Sequence, residues 1–158
     1  MRREYWILIV VWLLAAGLVF LIPKNRLRLA VSAFVFTQAI TWIFGSLVVE
    51  YGLITYPVRL FHVANRSSFT YEFFVYPIVA GLYNVFYPYS FSLFIRILYT
   101  SAYCTVLTIP EVFIEKYTDL IEYQHWTWYW TWTSLFLTFM LTRGFCLWFF
   151  NGIMKEME

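Results

Sequence analysis

Five long apolar runs constrain the fold of this chain more than any other feature of its sequence. Each approaches the roughly 20 residues that a helix needs to cross the hydrocarbon core of a bilayer. We therefore predict an all-α fold, an integral membrane bundle of five transmembrane helices that forms one domain over residues 1–158. The predicted spans are residues 5–22, 27–49, 69–87, 91–109 and 126–142.

The composition excludes the main alternatives to a membrane protein. Hydrophobic residues make up 62% of the chain, and charged residues make up only 13%, about half of the usual share in a soluble domain. A chain this apolar is not disordered, and a soluble fold of this size leaves too much surface exposed to hide it. The net charge of +2, without a basic patch, argues against nucleic-acid binding.

The first apolar run follows Arg2 and Arg3, as in a secretory signal, but it is longer than a typical signal core of roughly 7–15 residues. We expect it to be retained as the first span. Basic residues are nearly balanced between the two membrane faces. Five lie on the face that holds the N-terminus, and six, counting Lys155, lie on the face that holds the C-terminus. The cluster PKNRLR at 23–28 favours an orientation with the N-terminus outside and the C-terminus inside.

Span 4 carries a polar stripe that continues beyond its end. Its members recur every three or four residues, so they share one side of a helix. Ionisable groups in a membrane helix are costly and point into a bundle or a wet cavity. The stripe consists of Arg96, Thr100, Cys104, Thr108, Glu111 and Glu115.

Span 3 carries a second stripe of Glu72, Tyr76, Tyr83 and Tyr87. The turn between spans 3 and 4 is short, so we expect the two helices to pack antiparallel. Counting from that turn places Glu72 and Glu111 at similar depth. If the stripes face each other, the tyrosines form the wall of a polar cavity and two carboxylates meet in it.

Two carboxyl groups in a low dielectric cannot both stay ionised alone. They would share a proton, bind a cation, or take Arg59 or Arg66 as a counter-ion. A purely structural interpretation is equally open. Glu72 then complements the dipole of the first turn of span 3, the acids of span 4 are solvated, and Arg96 reaches the interface with its long side chain.

Two further stripes have the pattern of packing faces. Small residues recur every four positions in span 2, and hydroxyl side chains follow one face of span 5. Such faces let helix backbones approach closely, and they could also pair protomers. The stripes are Ala33, Thr37, Thr41 and Gly45 in span 2, and Thr127, Thr131, Ser134, Thr138 and Thr142 in span 5.

No nucleotide-binding loop, hydrolase elbow or zinc-protease motif occurs, so the sequence predicts no catalytic residue, metal or cofactor. The leading hypothesis is an acid-lined cavity that binds or passes a cation, a proton or a small polar solute. One alternative is a membrane enzyme that acts on a lipid or isoprenoid, with Glu111 as general acid. Another is an accessory or structural subunit. The expected partners are the lipid bilayer and either a second copy of the chain or another membrane protein.

Several strings resemble a functionally uncharacterised family of small multi-span membrane proteins of spore-forming Gram-positive bacteria. They are IPKNRLR at 22–28, VVEYGLITYPVR at 48–59, SFTYEFFVYP at 68–77 and EVFIEKYTDLIEYQHWTWYWTW at 111–132. The resemblance implies an all-helical, multi-pass protein of the bacterial cytoplasmic membrane, and it supplies no reaction or ligand. Its strings include Glu50, Arg59, Glu72, Glu111, Glu115 and Trp126.

Overall fold

The structure is a computed structural model and describes residues 3–151. Arg2 and Lys155, which enter the comparison of the two membrane faces, lie outside the described residues. The described chain is mainly helical, which confirms the all-α prediction. Its helices are α1 Arg3–Val19, α2 Leu27–Glu50, α3 Tyr76–Val85, α4 Leu93–Tyr117 and α5 Trp128–Phe149.

Short elements join these helices. A 3₁₀ turn at Lys24–Arg26 leads into α2, and a π-helical turn at Tyr71–Val75 leads directly into α3. Two strands of two residues each, β1 at Ile54–Thr55 and β2 at Glu122–Tyr123, pair antiparallel. They connect the two long loops of the chain.

Helix α3 occupies the centre of the bundle, where every residue from Pro77 to Val85 is buried. It packs most closely against α2. A Cβ on Gly81 would lie only 3.3 Å from the carbonyl oxygen of Ala30, so a small residue is needed where the two backbones meet. The small-residue stripe of α2 also faces α5, where the hydroxyls of Thr37 and Thr142 are 2.9 Å apart.

Helix α4 packs mainly against α5. It contacts α3 chiefly through long side chains. The hydroxyls of Tyr83 and Thr100 are 2.9 Å apart. The ring of Tyr83 also packs on Phe139, with ring centres 4.7 Å apart. Tyrosine side chains therefore join the two stripes that the sequence predicts to face each other.

Residues 51–70 and 118–127 form a cap over one end of the bundle. Ile54 pairs with Tyr123 across the two short strands. The backbone N–H of Val58 donates to the carbonyl oxygen of Asp119 at 3.0 Å. The two loops are thus held together by backbone hydrogen bonds, and the cap is a defined part of the fold.

Several helix ends differ from the predicted spans, and the C-terminal ends of α4 and α5 differ most. Helix α4 continues through Pro110 to Tyr117 instead of ending at residue 109, and α5 continues to Phe149. Proline removes one backbone donor and frees the carbonyl of Val106. By length and composition, two helical stretches of the described chain are suited to crossing a membrane, Lys24–Glu50 and Leu93–Tyr117.

Candidate functional site

Glu111 follows Pro110 in α4 and is only 5% exposed. Its carboxylate accepts hydrogen bonds from three hydroxyls that come from three different elements. Tyr76 of α3 donates at 2.6 Å, Tyr123 of β2 at 2.5 Å and Thr131 of α5 at 2.8 Å. An ionised carboxylate only accepts hydrogen bonds. The fold therefore surrounds this carboxyl group with donors suited to its ionised form.

The cap contributes two tyrosines whose pKa values are displaced. Burial raises the pKa of Tyr123 above its ordinary value, and the negative charge of Glu111 raises it further. Burial also raises the pKa of Tyr56, followed by the charges of Glu111 and then Glu72. Tyr123 thus remains a protonated donor over the physiological pH range, and Tyr56 lies within electrostatic range of both acids.

Glu72 lies in the π-helical turn before α3 and is 3% exposed. Its carboxylate accepts a hydrogen bond from the hydroxyl of Ser67 at 2.5 Å. Its backbone carbonyl accepts one from Thr41 of α2 at 2.7 Å. The carboxylate rests on Gly45, where an added Cβ would lie 2.0 Å from Oε1. Glycine in the α2 stripe therefore provides the space that the Glu72 carboxylate occupies.

Glu72 and Glu111 line the same cavity, which has a volume of about 260 Å³. It lies between α2, α5 and the cap, and its surface is mostly apolar. None of the residues that the structure shows lining it is a lysine, an arginine or a histidine. The aromatic and aliphatic wall includes Phe44, Val48, Tyr56, Trp126, Leu135 and Leu141.

A second cavity of about 500 Å³ lies between α1, α3 and α4. It is almost entirely apolar, and Glu111 is the one charged residue among those that line it in the described chain. Tyr76 and Glu111 border both cavities. Their hydrogen bond therefore lies at the boundary between a cavity with two acids and an apolar cavity.

The two arginines predicted as competing counter-ions lie elsewhere. Arg59 donates to backbone carbonyls of the cap, including those of Tyr56 at 2.6 Å and Asn65 at 2.8 Å. Arg66 pairs with Glu50 at 3.5 Å, and both of these side chains are largely exposed. Neither arginine lines the cavity of about 260 Å³.

Three other predicted residues, Arg96, Tyr83 and Glu115, do not line the cavity of about 260 Å³. Arg96 is near the opposite end of α4, where its Nε donates to the carbonyl of Phe91 at 3.0 Å. Tyr83 is part of the buried core and bonds with Thr100. Glu115 borders a surface cleft of the cap. Of the predicted site residues, the structure brings together Glu72, Glu111 and Tyr76.

Sequence reasoning missed several residues of the site. Thr131 belongs to the hydroxyl stripe of span 5, which indicated packing alone. Gly45 was assigned to a packing face, although its role includes making room for a carboxylate. Ser67 lies in a loop and Tyr123 in the two-residue strand β2, and no periodicity marks either position. Their proximity to acids depends on the cap, which the sequence did not predict.

The arrangement can accommodate one positive charge. Glu72 and Glu111 each bring a buried carboxyl group to this cavity, and burial disfavours an ionised carboxylate, so a proton or another cation beside either acid would stabilise it. No group of three or more His, Cys, Asp or Glu side chains among residues 3–151 could hold a metal ion.

Comparison of the chain with protein-family models, with curated proteins and with solved structures finds no match.

Proposed function

We propose that this chain is a multi-pass membrane protein whose acid-lined cavity binds a cation in competition with a proton and exchanges the two across the bilayer. One observation carries the proposal: Glu72 and Glu111 line a single cavity that no basic side chain of the described chain enters. Pairing with an internal arginine would have neutralised the acids permanently. Because Arg59 and Arg66 are engaged elsewhere, the charge can come from outside.

The surface of the bundle supports the membrane assignment. A soluble monomer rarely exposes a contiguous apolar patch larger than a few hundred Å², whereas apolar residues are exposed along the outer faces of all four longer helices. We propose that the five spans are provided by the helices α1, α2, α4 and α5 and by a fifth segment, the π-helical turn together with α3, and that the N-terminus lies outside. The exposed side chains include Leu13, Leu14, Ile43, Phe94, Val106 and Trp148.

The hydroxyls around Glu111 support reversible charging. Each hydrogen bond to a carboxylate favours its ionised form, whereas burial favours the neutral form. Three hydroxyls offset part of the burial cost at Glu111, and one does so at Glu72. Such a balance lets an incoming cation displace a proton without requiring a fully solvated site.

The proposal is tested with the full-length protein reconstituted in liposomes that contain a pH indicator. A cation gradient should drive a pH change inside the vesicles. Glu72→Gln and Glu111→Gln should each abolish it, because the pair then loses its exchangeable charge. Glu115→Gln provides the matched control, since Glu115 lies in a different cleft. An unchanged pH response in both cavity variants would overturn the assignment.

A second candidate function is a membrane enzyme that acts on a lipid, with Glu111 as general acid. The apolar cavity of about 500 Å³ that reaches Glu111 favours it, because an acyl or isoprenoid chain could lie there. This candidate predicts that the purified protein consumes a lipid substrate and that Glu111→Gln stops the reaction while Glu72→Gln does not. Equal sensitivity to both substitutions supports the cation-binding proposal instead.

A further inference from the structure

The walls of the shared cavity indicate which class of cation it takes. A small inorganic cation is bound by several oxygen ligands that replace its water. The cavity offers two carboxylates and several hydroxyls, including those of Ser134 and Thr138, but most of its surface is aliphatic or aromatic, so a small ion there would contact mainly carbon. These walls would leave much of a small inorganic ion without ligands.

The aromatic side chains provide the complementary argument. Phe44, Tyr56 and Trp126 line the cavity together with the two acids. The face of an aromatic ring attracts a cation, and quaternary ammonium groups are recognised in this way. The volume of about 260 Å³ is slightly below the roughly 300–1,000 Å³ range of small-molecule sites. It suits a small organic ligand better than a single ion.

We propose that the ligand is a lipophilic organic monocation of the quaternary ammonium type. This inference rests on the proposed function and names its substrate class. The positive charge lies between the carboxylates of Glu72 and Glu111, and the apolar part of the ligand contacts the aromatic and aliphatic wall. One carboxyl group releases its proton to the solvent as the cation enters, so the charge of the cavity is unchanged. No covalent bond forms or breaks other than that O–H bond.

The test uses benzyltrimethylammonium as the probe and neopentylbenzene as its neutral isostere. Binding to the full-length protein in detergent micelles is measured by isothermal titration calorimetry in two buffers of different ionisation enthalpy, which counts released protons. We expect the cation to bind with release of about one proton, and its affinity to fall towards tenfold per pH unit as the pH is lowered. The neutral isostere should bind at least about 30-fold more weakly, since it leaves the charge pairing unmade.

Variants make the test specific to the cavity. Glu111→Gln and Glu72→Gln should each weaken binding of the cation at least about 30-fold, and Glu115→Gln should leave it unchanged. Gly45→Ala keeps both acids but displaces the Glu72 carboxylate, because its Cβ would lie 2.0 Å from Oε1. It should weaken binding even if a glutamine variant fails to fold.

The outcomes separate this inference from the proposed function. Equal affinity for the cation and its isostere, or binding without proton release, would overturn the inference. Acid-dependent binding of Na⁺ or K⁺ without binding of benzyltrimethylammonium would also overturn it, while leaving the proposed function intact. Absence of acid-dependent binding of any of these cations would overturn both.

Discussion

The two ends of the bundle each bury a charged side chain but treat it differently. At the capped end, Glu111 is bonded to three hydroxyls and borders two cavities. At the other end, Arg143 of α5 is 4% exposed and is covered by aromatic rings. Its guanidinium carbon lies 4.6 Å from the ring centre of Tyr87 and 4.3 Å from that of Tyr89.

The carboxyl group of Glu111 borders cavities that leave space beside it, whereas the guanidinium of Arg143 is packed against aromatic rings. The rings around Arg143 stabilise it by cation–π contact, and its Nη1 lies 3.5 Å from the amide oxygen of Asn84. These contacts join α5 to α3 and to the turn that follows it. We therefore expect the Arg143 end to contribute mainly to stability, and we propose ligand binding only at the Glu111 end.

The largest expected effect is on stability, from Tyr83→Ala in the packed core. Tyr83 is fully buried and contacts α4 and α5, so removing its ring leaves a cavity. The free energy of unfolding should fall by about 3–5 kcal/mol, as measured by SDS titration in mixed micelles. Tyr83→Phe keeps the ring and should cost much less. A near-neutral Tyr83→Ala would contradict the assignment of this region to stability.

The next largest effect is expected from Arg143→Gln, which removes the charge but keeps a polar side chain. Loss of two cation–π contacts should cost about 2 kcal/mol of unfolding free energy, measured in the same titration. Cation affinity of the folded variant should be unchanged, because Arg143 does not line the cavity. A large loss of affinity at unchanged stability would show that the two ends are not separate in function.

Gly45→Ala tests the capped end of the bundle, where Glu72 and Glu111 lie. The added methyl group meets the flexible end of Glu72, which can move, so stability should change by less than about 1 kcal/mol. Ligand affinity should fall because the carboxylate is displaced. Gly144→Ala in α5 is the matched control, since its Cβ would meet nothing within 4 Å. It should leave affinity unchanged, and equal affinities for the two variants would contradict this account.

The smallest expected effect is on the pH profile, from Tyr123→Phe. The substitution removes one hydroxyl that donates to Glu111. Because hydrogen bonds to an ionised carboxylate favour that form, cation binding should require a higher pH in the variant. A pH series of binding measurements checks this shift. The hydroxyl of Tyr83 bonds with Thr100 instead, so Tyr83→Phe should not change the pH dependence of cation binding.

The sequence predicted the helical fold because apolar runs report burial or lipid contact directly. It placed Glu72 and Glu111 near each other by counting residues from the turn between their helices. The end of α4 was left open, because the polar stripe that runs on to Glu115 indicated a longer helix whereas Pro110 is a common stop signal; the structure places the end at Tyr117.

The rest of the site depends on contacts between distant segments. Tyr123 reaches Glu111 because β2 pairs with β1, and two strands of two residues leave no periodic pattern in a sequence. Arg59 could be proposed as a counter-ion from its charge alone. Its actual partners are backbone carbonyls, which no pattern of side chains reveals.

The most direct test of the central claim is a double-mutant cycle on Glu72→Gln and Glu111→Gln, read out as affinity for the cation. If both acids serve one cavity and one exchangeable charge, the double variant should bind only slightly more weakly than either single variant, because coupled residues are not additive. Strict additivity of the two losses in binding free energy would mean that the acids act independently and would contradict the account.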